Sequence, residues 1–173
     1  MAKAKQRESE HRMSAPREFI LGEFPRTLDD RHRLSIPTEL LDPLMRGGAD
    51  CILAKERPGC LSLWNAPAWQ AKLDAGVDLV KSKIQAGKLE GKLEEVQLLS
   101  RLLSTRHKSV QLAGRGRLSI PDGFREFLQV EQGGDVMVIG AGVCVEIWNP
   151  RAWLAYLEQR MPEFRQLFDK LSS

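Results

Sequence analysis

The stretch Arg33-Leu34-Ser35-Ile36-Pro37 occurs twice in the chain, because Arg117-Leu118-Ser119-Ile120-Pro121 repeats it 84 residues later. The same offset aligns Trp64-Asn65 with Trp148-Asn149. Between residues 27–73 and 111–157, 15 of 47 positions are identical without a gap. Such agreement at one fixed offset indicates an internal duplication. The chain therefore contains two copies of one unit, running from about residue 20 to 80 and from about 105 to 160.

Both copies predict the same order of elements. A strand leads into a tight polar turn, and the repeated motif then forms an alternating strand that ends at proline. A short helix follows, then a hairpin and a closing helix. In the first copy we expect a strand at 19–24, a helix at 38–45 and hairpin strands at 51–54 and 60–64. In the second copy we expect a strand at 109–112, a helix at 122–130 and hairpin strands at 136–139 and 143–148, around a turn at 140–142.

The fold class follows from the size of the unit. One copy cannot bury the faces of its own short strands, whereas two copies together can. The sequence therefore predicts an α+β fold in which a duplicated ββαββ unit forms a small pseudo-twofold β-barrel with interleaved hairpins and peripheral helices. This arrangement places the polar turns 29–33 and 113–117 on one side of the barrel. Asn65 and Asn149 are expected to cap the closing helices, since asparagine side chains accept hydrogen bonds from the free N–H groups of a first turn.

Five segments are predicted along the chain. They are a disordered, mildly basic arm at 1–18, a first repeat at 19–77, a helical connector at 78–104, a second repeat at 105–160 and a C-terminal helix at 161–173. The connector is predicted to be helical because apolar residues recur there at helical spacing, at Leu89, Leu93, Val96, Leu99 and Leu103. The C-terminal helix carries a similar apolar face, formed by Phe164, Leu167, Phe168 and Leu171.

Composition excludes several classes of protein. No run of 18 apolar residues occurs, which argues against a membrane-spanning helix, and no apolar segment follows the basic N-terminus as in a signal peptide. Three cysteines without a CxxC pair argue against a disulfide framework or a zinc site and favour a reducing cytosol. Because no nucleophile–base pair or metal-ligand set has catalytic spacing, the sequence predicts neither an enzyme nor a cofactor, a metal or a small-molecule substrate.

The two arginine-bearing turns are the best candidates for function. Arg31 and Arg33 in the first turn match Arg115 and Arg117 in the second. Arginine suits both phosphate groups and the O6/N7 edge of guanine, so the turns predict contacts to double-stranded DNA. The segment 96–117 adds support, since it holds five Lys or Arg residues and no acid. Asp29 is expected to organise the first turn by accepting its N–H groups or by holding the Arg33 guanidinium.

Less specific interpretations remain open for these residues. Arg33 and Arg117 could be structural, bonding carbonyls of their own turns or a carboxylate. The four tryptophans, Trp64, Trp69, Trp148 and Trp153, are predicted to be core or interface aromatics rather than base-stacking residues. Cys60 and Cys144 alternate within apolar strands, which indicates buried small hydrophobic residues.

Taken together, the residues resemble a known family. A tandem polar turn of the pattern D-x-x-x-R, followed by L-x-I-P, a helix, a hairpin and a Trp-Asn helix, is similar to the MraZ family, whose domains belong to the AbrB-like swapped-hairpin group. The first copy matches best, from Leu28-Asp29 through Arg33 to Pro37. The second copy has Ala113 in place of the motif aspartate. In the first copy, His32 stands directly before the motif arginine, where the family usually has a glycine.

The resemblance implies a bacterial transcriptional regulator, usually a repressor, that binds short direct repeats upstream of cell-division and cell-wall genes. It further implies a homo-oligomeric ring, a cytoplasmic, nucleoid-associated location without a membrane, and DNA contacts at Arg31, Arg33, Arg115 and Arg117. Two other functions remain as alternatives. One is an antitoxin-like protein-interaction module, since AbrB-type folds also occur in toxin–antitoxin pairs, and the other is an enzyme on a small β-barrel.

Overall fold

The computed structural model describes residues 19–46, 48–88 and 90–173. The predicted arm at 1–18 and the connector residue Leu89 lie outside the described residues. Eight strands occur there, β1 (Ile20–Thr27), β2 (Arg33–Ser35), β3 (Asp50–Arg57), β4 (Cys60–Asn65), β5 (His107–Gln111), β6 (Arg117–Ser119), β7 (Asp135–Gly142) and β8 (Val145–Trp148). The helices are α1 (Thr38–Met45), α2 (Ala66–Gln85), α3 (Leu93–Thr105), α4 (Phe124–Leu128), α5 (Pro150–Arg160) and α6 (Phe164–Ser172), with a 3₁₀ turn at Met161–Glu163.

The strands form two antiparallel sheets, so the chain has the mixed α+β architecture that the sequence predicts. The larger sheet has six strands in the order β1-β7-β8-β4-β3-β5, and the smaller one pairs β2 with β6. In the larger sheet, the hairpin β7–β8 lies between β1 and β4, and β5 pairs with β3. Strands from the first half (β1, β3 and β4) are therefore interleaved with strands from the second half (β5, β7 and β8) in one sheet.

Two cross-strand pairs join residues that are 84 positions apart in the sequence. Leu34 lies opposite Leu118 in the small sheet, and Ser62 lies opposite Glu146 where β4 meets β8. This spacing equals the offset between the two sequence copies. Equivalent residues of the two copies therefore face each other at the centre of both sheets.

The core lies between the inner faces of the two sheets and the short helices α1 and α4. Its members include Leu34, Leu40, Leu53, Leu63, Leu118, Leu128, Val138 and Ile147, all buried. On the opposite face of the large sheet, Trp148 packs with Cys60 and Ile139 beneath Trp153 and Tyr156 of α5. Within the three described ranges, no helix is long and apolar enough to cross a membrane.

The second hairpin differs from the prediction, which put its turn at 140–142. Strand β7 continues to Gly142, and the turn lies at Val143 and Cys144. The glycines are needed in the strand because β1 approaches it closely. A Cβ atom on Gly140 would lie 2.6 Å from the Ile20 carbonyl oxygen.

Contrary to the sequence-based prediction, the connector at 78–104 is not one continuous helix but contains parts of two helices. The closing helix of the first copy runs on to Gln85, a second helix spans Leu93–Thr105, and the described residues between them, 86–88 and 90–92, are not helical. Gly87, directly after the C-cap residue of α2, has a φ value of 69°, a left-handed conformation typical of a helix C-terminus, and Gly91, before α3 begins, has a φ value of 75°. The predicted segment boundary between residues 77 and 78 falls inside α2.

Two predictions about helix ends also need correction. The second copy's short helix spans only Phe124–Leu128 rather than 122–130, because Gly123 and Gln129 take positive φ values of 80° and 61°. Asn149 caps α5 as expected, accepting from the Arg151 and Ala152 N–H groups at 3.0 and 3.4 Å. Asn65 precedes α2 without a side-chain cap and instead donates to the Leu44 carbonyl oxygen at 3.3 Å.

Candidate nucleic-acid interface

The small sheet brings the two repeated motifs together. Arg33 lies opposite Ser119 and Ser35 lies opposite Arg117, on either side of the Leu34–Leu118 pair. Because side chains alternate across a strand, the two leucines point to one face and the four polar residues to the other. Leu34 and Leu118 are 3% and 0% exposed, so the leucine face belongs to the core. The face formed by Arg33, Ser35, Arg117 and Ser119, hereafter the β2–β6 face, therefore points outward.

Hydrogen bonds extend the pairing beyond the strands on both sides. The Ile36 N–H donates to the Gly116 carbonyl, and the Ile120 N–H donates to the His32 carbonyl, each at 2.9 Å. The two bonds are equivalent, because Ile36 corresponds to Ile120 and His32 corresponds to Gly116 in the two copies. In this antiparallel arrangement the turn before β2 lies beside the end of β6, and the turn before β6 lies beside the end of β2. Arg31 and Arg115 are thus placed at opposite ends of the β2–β6 face.

Asp29 organises the backbone of the first turn. Its Oδ1 accepts from the Arg31 and Arg33 N–H groups at 2.8 and 2.9 Å, and its Oδ2 accepts from Arg33 Nε at 2.8 Å. The backbone hydrogen bond from Arg33 is the main reason that the pKa of Asp29 lies below its ordinary value, with smaller contributions from the Arg31 N–H and the Arg33 guanidinium. The carboxylate thus stays ionised and fixes the Arg33 side chain in one direction.

The second turn has no such carboxylate. Ala113 and Arg117 exchange two backbone hydrogen bonds, each of 2.9 Å. Gly114 and Gly116 have φ values of 51° and 85°. Arg115 and Arg117 are exposed, and neither forms an ion pair with any residue that the structure describes. The two turns therefore differ in the mobility of their arginine side chains: Arg33 is held by Asp29, whereas Arg117 is unrestrained.

Geometry brings Arg33 and Arg117 near each other. They are diagonal neighbours on the β2–β6 face, a relation that places Cα atoms about 7–8 Å apart. Sequence reasoning missed Ser35 and Ser119 on this face. The pattern Arg-Leu-Ser in each motif could have revealed them, because a buried leucine between two polar residues puts both polar side chains on the solvent side.

Of the four matched tryptophans, Trp64 and Trp148 are buried core aromatics, and Trp69 and Trp153 are partly buried beside them. Trp64 and Trp148 are 8% and 2% exposed, and their ring centroids lie 5.8 and 5.1 Å from those of Trp69 and Trp153. All four rings lie on the face of the large sheet that points away from the main core and the small sheet.

All three cysteines are buried, which confirms the prediction made for Cys60 and Cys144. Burial raises the pKa of the Cys51 thiol to about 11 and that of Cys144 to about 12, and it raises the pKa of Cys60 further. Thiols with such pKa values stay protonated near neutral pH and are weak nucleophiles. Within the described parts of the chain, no group of three or more His, Cys, Asp or Glu side chains could hold a metal ion.

A second polar cluster lies where β4 meets β8. Ser62 is fully buried, accepts from Trp64 Nε1 and donates to Glu56 Oε2, both at 2.9 Å. Glu146, opposite Ser62, accepts from Trp148 Nε1 at 2.7 Å. Burial raises the pKa of Glu146 above its ordinary value, and the nearby Glu56 carboxylate adds to this effect.

Comparison with known proteins gives a consistent assignment. The sequence model of the family described as "MraZ protein, putative antitoxin-like" matches residues 105–171. A protein of Methylobacillus flagellatus named "Transcriptional regulator MraZ" is 33% identical over 135 residues, covering 78% of this chain and 83% of that protein. Proteins with the same name from Roseiflexus castenholzii and Heliobacterium modesticaldum are 31% and 26% identical, covering 78% and 88% of this chain and 84% and 96% of their own lengths. On these similarities, the chain belongs to the MraZ family.

Proposed function

We propose that this chain is a sequence-specific DNA-binding transcriptional regulator that acts through the β2–β6 face. The observation that carries the proposal is the outward-facing pair Arg33 and Arg117 on a two-stranded ribbon whose other face is buried. The major groove of DNA, about 12 Å wide, admits such a ribbon. The relatives' name denotes a regulator of transcription, which is not an enzyme class.

The four arginines are proposed to divide the contacts. Arg33 is held by Asp29, which suits a bidentate contact to a base edge, where geometry must be strict. Arg117 is unrestrained and suits a phosphate, which tolerates looser geometry. Arg31 and Arg115, at the two ends of the β2–β6 face, are proposed to contact phosphates as well.

The fold is proposed to be an AbrB-like swapped-hairpin barrel with a pseudo-twofold axis. Three features support this proposal: the pairing of Leu34 with Leu118, the pairing of Ser62 with Glu146 and the interleaving of strands from both halves in one sheet. In this view the repeats are 19–77 and 105–160, with the helical connector and the C-terminal helix outside them.

The family resemblance extends the proposal to the biological role. We infer a repressor that binds short direct repeats upstream of cell-division and cell-wall genes and is located with the nucleoid. We also infer a homo-oligomer in the form of a closed ring, because several helix faces of the single chain expose large apolar side chains.

A salt titration tests DNA binding directly. A labelled duplex carrying the DNA upstream of the chain's own gene, and a shuffled duplex of equal length, are titrated with the protein at several salt concentrations. We expect tighter binding to the upstream duplex, and a negative slope of log K against log salt, because phosphate contacts release counterions. Binding that is absent, or equal for both duplexes at every salt concentration, would contradict the proposal.

An antitoxin-like interaction module is the second candidate, favoured by the wording of the family description. The presence of both arginine turns counts against it, since an antitoxin needs one DNA-binding copy and a toxin-binding tail. Co-expression with a small protein encoded next to this gene separates the two functions. A stable complex that neutralises a growth defect caused by that small protein would favour the antitoxin.

A further inference from the structure

We propose that Ser35 and Ser119 are further DNA-contacting residues, each acting with the arginine directly opposite it. Ser119 acts with Arg33, and Ser35 acts with Arg117. The inference rests on the proposed function, because it assigns additional contacts to the same β2–β6 face.

The geometry of the face supports this pairing. Residues directly opposite in an antiparallel pair have Cβ atoms about 4.5–5.5 Å apart. Both serines are exposed, so a ligand that reaches the arginines also meets the hydroxyls. The two strands present the pairs in reverse order, with Arg33 beside Ser119 at one end and Ser35 beside Arg117 at the other. An arginine–serine pair therefore occurs twice on the face, in opposite directions.

Several serines outside this face have structural partners, whereas the hydroxyls of the exposed Ser82 and Ser109, like those of Ser35 and Ser119, form no hydrogen bond with the described residues. Ser62 bonds Glu56, and Ser100, Ser104 and Ser172 bond carbonyl oxygens one helical turn earlier. Neither Ser35 nor Ser119 has a hydrogen-bond partner for its hydroxyl among the residues that the structure describes. Their hydroxyls are therefore available to a ligand on the solvent side.

A serine hydroxyl can contact either the bases or the phosphates of DNA. A serine hydroxyl both donates and accepts, so it can bond a base edge or a phosphate oxygen. Ser119 lies beside the arginine that Asp29 fixes, and we assign it to base contact. Ser35 lies beside the unrestrained arginine, and we assign it to phosphate contact.

Serine-to-alanine variants test the assignment, measured as fluorescence anisotropy of the upstream and shuffled duplexes. We expect Ser119→Ala to weaken binding to the upstream duplex by about three- to tenfold, with little change for the shuffled one. Ser35→Ala should weaken both duplexes alike, by a similar factor. Neither variant should change the salt slope, because serine carries no charge. The conservative variants Ser35→Thr and Ser119→Thr keep the hydroxyl and should recover most of the affinity.

Ser109→Ala is the matched control, since Ser109 is an exposed serine on the edge strand β5, outside the β2–β6 face. A double-mutant cycle adds a second test. In an Arg33→Ala background, Ser119→Ala should cost less than in the native chain, because the two side chains serve one contact.

The outcomes separate this inference from the proposed function. If the native chain shows no preference for the upstream duplex, both ideas fail. If the native chain has that preference and Arg33→Ala loses it, while Ser35→Ala and Ser119→Ala behave like Ser109→Ala, only the serine assignment fails. Equal thermal unfolding curves for all variants show that the differences arise in binding.

Discussion

Arg33 and Arg117 occupy equivalent positions in the two copies, yet only one of them has a fixed side chain. Asp29 holds Arg33 through Nε, which leaves the terminal nitrogens of the guanidinium for a ligand. Ala113 offers Arg117 no such partner, and glycines at 114 and 116 precede it. The difference between Asp29 and Ala113 thus predicts different roles for two identical residues.

The two arginine substitutions should therefore have different signatures. Arg33→Ala should cost about 1–3 kcal/mol of discrimination between the upstream and shuffled duplexes. Arg117→Ala should weaken both duplexes alike and flatten the salt slope by about one unit for each phosphate that the protein no longer neutralises. Ala113→Asp supplies the missing carboxylate and should alter affinity or specificity. The reverse ranking, with preference abolished only in Arg117→Ala, would contradict these roles.

Backbone conformation distinguishes another matched pair. His32 and Gly116 both take positive φ values, 54° and 85°. A Cβ on Gly116 would lie 2.5 Å from Leu41 Cδ2, and although Leu41 can move, the backbone strain would remain. Gly116→Ala should therefore lower the free energy of unfolding by about 1–2 kcal/mol. His32→Gly should change it by less than about 1 kcal/mol. Urea unfolding measures both, and equal losses would show that strain at these turns does not govern stability.

Glu146 should make stability depend on pH. Burial raises its pKa in the folded chain above the ordinary value of 4.5. Between those two pKa values the folded state holds a proton that the unfolded state has released, so the contribution of Glu146 to stability falls as pH rises. Glu146→Gln keeps an acceptor for Trp148 Nε1 and has no charge, so it should raise the melting temperature at pH 7 and reduce this slope. A melting temperature lowered at pH 7 would argue against the prediction.

Among the elements, α5 depends on its cap more than α2 does. Asn149 accepts two N–H groups of α5 and donates to the Gln129 carbonyl at 2.9 Å, whereas Asn65 makes only two longer bonds, at 3.3 and 3.4 Å. Asn149→Ala should therefore cost about 1 kcal/mol of unfolding free energy, and Asn65→Ala less. Asn149→Asp preserves the acceptor and should fall between native and alanine. A larger loss in Asn65→Ala would contradict this order.

The elements also show how far the sequence predicts the structure. The strands, the α+β class and the burial of Cys60, Cys144, Trp64 and Trp148 follow from the repeat and from alternation, because both properties are local and periodic. The turn at 143–144 and the exact ends of α2 and α3 do not. Gly140 serves a close approach of β1, a strand far away in sequence, and the positive φ of Gly87 becomes visible only in three dimensions. The exposure of Ser35 and Ser119 can be read from the local Arg-Leu-Ser pattern, but their pairing with Arg117 and Arg33 arises from cross-strand contacts.

At the scale of the whole molecule, the helices leave apolar surface uncovered. The exposed side chains include Leu98, Leu102, Leu154, Met161, Phe164, Leu167, Phe168 and Leu171. Soluble monomers rarely expose large contiguous apolar patches. Helix α6 shows this most clearly, because its four apolar residues recur at helical spacing on one side and are 53–76% exposed.

We therefore expect the chain to form a closed cyclic oligomer with these helices at the interfaces between protomers. Light scattering at micromolar concentration should give a mass several times that of the 19.5 kDa chain. Phe168→Glu places a charge on the apolar side of α6 and should lower that mass. It should also weaken DNA binding more than tenfold, on the order of the change expected when linked binding sites act singly. Gln166→Glu adds the same charge to the polar side of the same helix and should leave both mass and affinity unchanged. A monomer mass for the native chain would reject the ring, and equal effects of the two variants would remove α6 from the interface.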